Sequence, residues 1–277
     1  MFDVVLPSVL FLCALAALGL FLKYEKRIKS AFEGEFRCQD AILAVMMIGF
    51  SVSIVALIPE QAVMFGFLLY FAIFLFELAH VFTEKWSFSI IAPAVFTGLY
   101  FFSWNTLFMN LFSTTTIVFS TALLSASFTQ ETKVKAKSIF SRKNVLSGLV
   151  LFVVLIVLAD VTLVFGTNLM ETAVRKIAQL GLPLLVIVPT FPSTGGYVGL
   201  GLGDILLSGL LGILTAKKMG RKTGILCILS ISLTVLLGET IMLNFNTGGL
   251  PATILVVAGW LVALGMQRLH GPGGLWL

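Results

Sequence analysis

The stretch from Tyr197 to Ala216 places the strongest constraint on the fold. It is apolar and long enough to cross a hydrocarbon core of ~30 Å as a helix. It ends on Lys217 and Lys218, and it carries one ionisable residue, Asp204. A carboxylate at bilayer depth costs about 2.5–3.5 kcal/mol on insertion scales, so such a group faces a protein interior or a water-filled cavity. Gly199 with Gly203, and Ser208 with Gly212, repeat small residues at four-residue spacing. Other helices could therefore approach closely on either side of the acid. The plainer alternative is an Asp that only bonds a neighbouring helix.

Composition supports the membrane reading. The chain has 277 residues, of which 58% are hydrophobic and 11% charged, and its mean hydropathy is +1.07. A soluble domain could not hide that much apolar surface. The net charge of +5 comes from basic residues between apolar runs, where they set topology instead of binding nucleic acid. Cys13, Cys38 and Cys227 show neither CxxC spacing nor a neighbouring His cluster, so no metal, cofactor or disulfide framework is expected.

Nine apolar stretches predict an all-α membrane protein, a polytopic bundle of nine transmembrane helices. They run over Val4–Leu22, Ala41–Ile58, Ala62–Leu78, Phe88–Phe102 (kinked at Pro93), Leu107–Phe128, Val145–Phe165, Tyr197–Ala216, Gly224–Leu243 and Pro251–Met266. The Ser/Thr run from Ser113 to Thr116 can bond its own helix carbonyls, and His80 reads as an interfacial residue. Residues 1–144 form an N-terminal scaffold of five spans and residues 145–277 hold the remaining four, all in one membrane-embedded domain. Of the 18 Lys and Arg, all but Arg175 and Lys176 follow odd-numbered spans. The positive-inside rule then places the N-terminus outside and the C-terminus in the cytoplasm.

Depth brings two acids together. Asp160 lies about five residues before the end of span six and Asp204 about seven after the start of span seven, so both sit on the order of 8–10 Å from one membrane face. Consecutive antiparallel helices can set these carboxylates opposite each other. Two like charges in close approach cannot both ionise, so one carboxyl serves as acid and the other as base. A water molecule can be activated between them, which is what peptide hydrolysis requires.

Gly201-Leu202-Gly203-Asp204 on one span, an Asp late in the preceding span and Pro251-Ala252 opening the last span resemble the presenilin and signal peptide peptidase family of intramembrane aspartyl proteases. The likeness is to its compact archaeal members. It implies a presenilin-like fold in an archaeal cell membrane, an Asp160–Asp204 catalytic pair, and Pro251-Ala252-Thr253 as the counterpart of the family's Pro-Ala-Leu loop. It also implies single-span transmembrane substrates or signal-peptide remnants, with no obligate partner subunit. Ala159 stands where the family usually has Tyr, and Thr253 replaces Leu. The N-out orientation resembles signal peptide peptidase and is opposite to presenilin. A prepilin or preflagellin peptidase also carries Gly-x-Gly-Asp. A proton- or cation-coupled transporter could use the same buried acids with Glu239 as a third, although no inverted repeat is evident.

A helix must be unwound before its peptide bonds can be cut, and the freed backbone groups then need partners. Gly181 to Pro192 is apolar, broken by Pro183, Pro189 and Pro192, and reads as extended. Leu184 to Val188 and the turn leading into Pro251-Ala252-Thr253 are accordingly expected to flank the acids and pair with an extended substrate; the plainer alternative is that Leu184 to Val188 is only a hydrophobic lid on the membrane surface. The residues expected to hold substrate are Leu184, Leu185, Val186, Gly201, Leu202, Gly203, Pro251, Ala252 and Thr253.

Overall fold

Six helices among the described residues are long and apolar enough to cross a membrane: Val5–Lys29, Cys38–Leu57, Glu60–Thr83, Thr106–Thr129, Gly148–Gly166 and Arg221–Phe245. The structure is a computed structural model that describes residues 3–31, 36, 38–129, 139–167, 169–192, 196–245 and 251–270. In order the elements are α1 (Val5–Ala31), α2 (Cys38–Leu57), α3 (Glu60–Thr83), α4 (Trp86–Ser89), α5 (Ile91–Phe102), α6 (Thr106–Thr129) and α7 (Ile139–Val161). A π-helical turn (Thr162–Gly166) extends α7. Then come α8 (Leu169–Gln179), β1 (Leu185–Pro189), β2 (Tyr197–Gly201), α9 (Leu202–Met219), α10 (Arg221–Phe245) and α11 (Ala252–His270).

The centre of the bundle is α9, where Ile205 and every residue from Leu207 to Ala216 are buried. It packs against α1, α6, α10 and α11. Gly212 makes a close approach: a Cβ there would collide with Ile228 on α10. The expected use of Gly212 is therefore met, whereas Gly203 has nothing within 4 Å of the place a Cβ would occupy and Gly199 lies outside the helix. Helix α7 packs along α2 and meets α11. Past its middle, Phe152 joins Phe36 and Phe128 of α6 in one aromatic cluster.

Several boundaries differ from expectation. Helix α1 continues through the charged residues expected to form a loop, with non-helical angles at Tyr24 (φ −113°, ψ 18°). Glu25 explains the continuation, because it pairs with Lys29 one turn on (2.8 Å) and with Lys217 of α9 (2.7 Å). The fourth apolar stretch is broken into α4 and α5. Pro93 falls in the first turn of α5, where a missing N–H leaves no helical bond unmade. Lys133, Lys135 and Lys137 of the basic connection, and the Gly-rich tail, lie outside the described residues.

The largest correction concerns Tyr197–Ala216. Its first five residues are strand β2 instead of helix, so Asp204 occupies the first turn of α9. Tyr-Val-Gly-Leu-Gly places two glycines in five residues, a poor helix former. Its backbone instead pairs antiparallel with β1, Leu185 opposite Gly201 and Val188 opposite Val198. The connection before β1 also contains α8, which the sequence reading did not anticipate. That helix is tied down by Lys176 Nζ, which donates to the carbonyls of Ala56 (3.1 Å) and Ile58 (2.7 Å) at the end of α2.

The hairpin's other edge meets α6. Asn110 Nδ2 donates to the Ile187 carbonyl (2.6 Å), and the Ile187 N–H donates to Asn110 Oδ1 (2.9 Å). One side-chain amide thus stands in for a neighbouring strand. Ser113 Oγ donates to the Leu185 carbonyl (3.0 Å), so Ser113 serves the hairpin and not its own helix as expected. Asn110→Ala would orphan a backbone donor and acceptor within an apolar bundle. The expected loss is about 1–3 kcal/mol, read as a lowered Tm in detergent, while Asn110→Gln should lose less.

Candidate functional site

Three elements deliver the site, and each does so at its end. Asp160 is the penultimate residue of α7, immediately before the π-helical turn Thr162–Gly166. Such a widened turn re-aims the residues beside it and recurs at functional sites. Asp204 is the third residue of α9, and Ser208 Oγ donates to its carbonyl (2.6 Å). Thr253 is the second residue of α11, whose first turn opens with the Ile254 N–H donating to the Pro251 carbonyl (3.2 Å).

These residues converge. The Asp160 and Asp204 carboxyls lie close enough for their charges to interact. Thr253 Oγ1 donates to Asp160 Oδ2 at 2.6 Å. Thr253 is buried, and both acids are partly exposed. Gly201 adjoins the pair: a Cβ on it would stand 3.2 Å from Asp204 Oδ2. Leu202 donates its N–H to the Leu184 carbonyl (3.5 Å), which joins the start of α9 to the residue before β1. Gly203 is exposed, with nothing within 4 Å of the place a Cβ would occupy. Pro251 is buried and Ala252 half-buried. The turn leading into them, residues 246–250, lies outside the described residues.

The expectation that Leu184 to Val188 offers free backbone is corrected. Strand β1 has both edges occupied, one by β2 and the other by Asn110 and Ser113. Leu185 and Val186 are buried in that arrangement. Among the described residues the free edge belongs to β2. Because the Ile187 backbone points toward Asn110, Ile187 and Gly199 form a pair without mutual hydrogen bonds. The N–H and C=O of Gly199, and by the same alternation the N–H of Gly201, point away from β1, while the Gly201 carbonyl, at the N-cap of α9, enters the helix. Gly199 has open space where a side chain would stand. The unpaired edge therefore runs directly into the helix that carries Asp204.

Chemically, the site offers two interacting carboxyls, one with a fixed hydroxyl donor, beside unpaired strand backbone. Among the described residues no group of three or more His, Cys, Asp or Glu gathers as metal ligands. The sequence reading missed Asn110 and the π turn; an Asn within an otherwise apolar span was the available signal for the first. No protein-family model matches the chain, and no curated protein matches it.

Thr253→Val keeps the shape and removes the donor to Asp160. It is expected to cost about 1–3 kcal/mol, since a partly buried acceptor loses its donor, seen as a lower Tm, whereas Thr253→Ser should stay near wild type. Equal melting of all three proteins would contradict this hydrogen bond.

Proposed function

We propose that the chain is an intramembrane aspartyl endopeptidase of the Gly-x-Gly-Asp type, which hydrolyses peptide bonds of transmembrane helices with the Asp160–Asp204 pair. The observation that carries the reading is the convergence of three helix ends: Asp160 and Asp204 interact electrostatically, and Thr253 donates to Asp160. In this reading α4–α5, α9 and α11 join the six long apolar helices as spans, giving nine. The protein lies in an archaeal cell membrane with its N-terminus outside. Its substrates are single-span helices or signal-peptide remnants, and it works without a partner subunit.

The roles follow from the hydrogen bonds. Asp160, held as an acceptor by Thr253, is the base that takes a proton from water. Asp204 carries the proton that is given to the departing amide nitrogen, since two like charges this close do not both persist. The substrate is unwound beside β2, where the outward N–H and C=O of Gly199 and the N–H of Gly201 extend the hairpin by one strand. Glycine at these two positions leaves room for another backbone to approach. The residues expected to hold substrate then divide. Gly201, Leu202 and Gly203 line the receiving edge, whereas Leu184, Leu185 and Val186 support it from behind. Pro251, Ala252 and Thr253 close the site from α11.

A transporter reading drew on Glu239 as a third acid on a shared path. Glu239 instead faces Asp3, whose charge acts on it, and this favours the protease.

Asp160→Asn and Asp204→Asn should each abolish cleavage of a single-span substrate in detergent while the protein still melts cooperatively. Each change removes one half of an acid/base pair and also relieves repulsion. Full activity in either variant would overturn the assignment. Orientation is tested separately, in a background lacking Cys13, Cys38 and Cys227. Cysteine at the exposed position 171 should label from outside intact cells, and cysteine at 85 or 221 only after permeabilisation. The reverse pattern would invert the topology.

A further inference from the structure

A second pair of acids lies in the bundle, apart from any role given to Asp160 and Asp204. Asp3 is fully buried just before α1, and Glu239, on α10, is 8% exposed. Asp3 Oδ1 accepts the N–H of Val5 (3.1 Å) and the N–H of Phe191 (2.9 Å). Among the described residues its Oδ2 has no donor, and neither does either carboxylate oxygen of Glu239. Yet the two side chains face each other within hydrogen-bond reach. Two ionised carboxylates hold only acceptors, so they cannot bond each other, and three unpartnered oxygens buried together would be costly. One proton resolves this. It turns one acid into a donor and leaves one negative charge where there were two.

We propose that Asp3 and Glu239 form a proton-binding site that holds a single proton between them, with Glu239 as the donor and Asp3 Oδ2 as the acceptor. The assignment follows from geometry: Asp3 Oδ1 is already taken by two amide donors, which holds the carboxyl in place and leaves Oδ2 to accept. Among the described residues, Asp3 is the charged group that faces Glu239. The site joins three parts of the chain. Asp3 also bridges to Pro192, and the Val4 N–H donates to the Phe191 carbonyl (3.0 Å). The proton therefore latches the start of α1 and the residues following β1 onto α10. Because the folded pair holds a proton that two solvated carboxylates would release at neutral pH, folded stability from this site declines as pH rises.

The test uses the purified full chain in detergent, with the infrared C=O stretch of protonated carboxyls at neutral pH and Tm followed across pH. Glu239→Gln supplies the same hydrogen bond without a titratable proton. It should lose one protonated-carboxyl band and keep its Tm at alkaline pH, where the wild type declines. Asp3→Asn should flatten the Tm–pH curve in the same way, since its amide can donate to an ionised Glu239. An unchanged band with parallel Tm–pH curves would overturn the proposal. So would a Tm rise with Ca²⁺ or Na⁺ that Glu239→Gln removes, because the ligand would then be a metal cation. Failure of both amide variants to fold would contradict it as well, since either amide replaces the bond the proton makes.

Discussion

Backbone that is neither helical nor solvated must find every hydrogen bond within the protein, and the two-stranded hairpin is where this chain meets that demand. Strand β1 is satisfied on one side by β2 and on the other by Asn110 and Ser113 of α6. A strand this apolar could not otherwise lie in a helical bundle. Its anchoring fixes where the chain changes from extended to helical, at Gly201 and Leu202. Asp204 is consequently delivered in the first turn of α9, beside Asp160. With the hairpin loose, the position of the second acid would be undefined.

The anchoring reaches both ends of the bundle. At the acidic end, Asp3 holds Phe191 after β1, and Tyr100 and Trp104 donate to the carbonyls of Leu180 and Gly181 before it (3.1 and 2.7 Å). At the basic end, Glu25 ties α1 to Lys217, and Arg27 pairs with Glu84 beyond α3 (3.0 Å). Acids that need partners collect where the hairpin is, and the basic residues collect at the opposite end of α9. The buried stretch from Leu207 to Ala216 separates the two.

The apolar stretches, their order and the two acids were legible because hydropathy and charge act locally along the chain. The extended character of Leu184 to Val188 was legible too, from Pro spacing and β-branched content. What remained hidden depends on pairing across distance. Nothing near Tyr197 announces that it lies opposite Pro189, so five strand residues read as helix. Nothing near Asn110 announces that its amide meets Ile187, 77 positions away. Glu239 was legible as a third acid, but nothing in the sequence paired it with Asp3, and their meaning comes from facing each other. Thr253 was singled out only through a resemblance, and its bond to Asp160 gives it a physical role.

The central claim is that backbone presented at β2 is cut by the adjacent acids. The most direct measurement is mass spectrometry of the fragments formed when purified wild-type protein meets a single-span helix in lipid vesicles. The account predicts paired fragments whose new ends lie inside the apolar span, toward the membrane face shared by Asp160 and Asp204. Intact substrate, or cuts confined to residues outside the span, would contradict it.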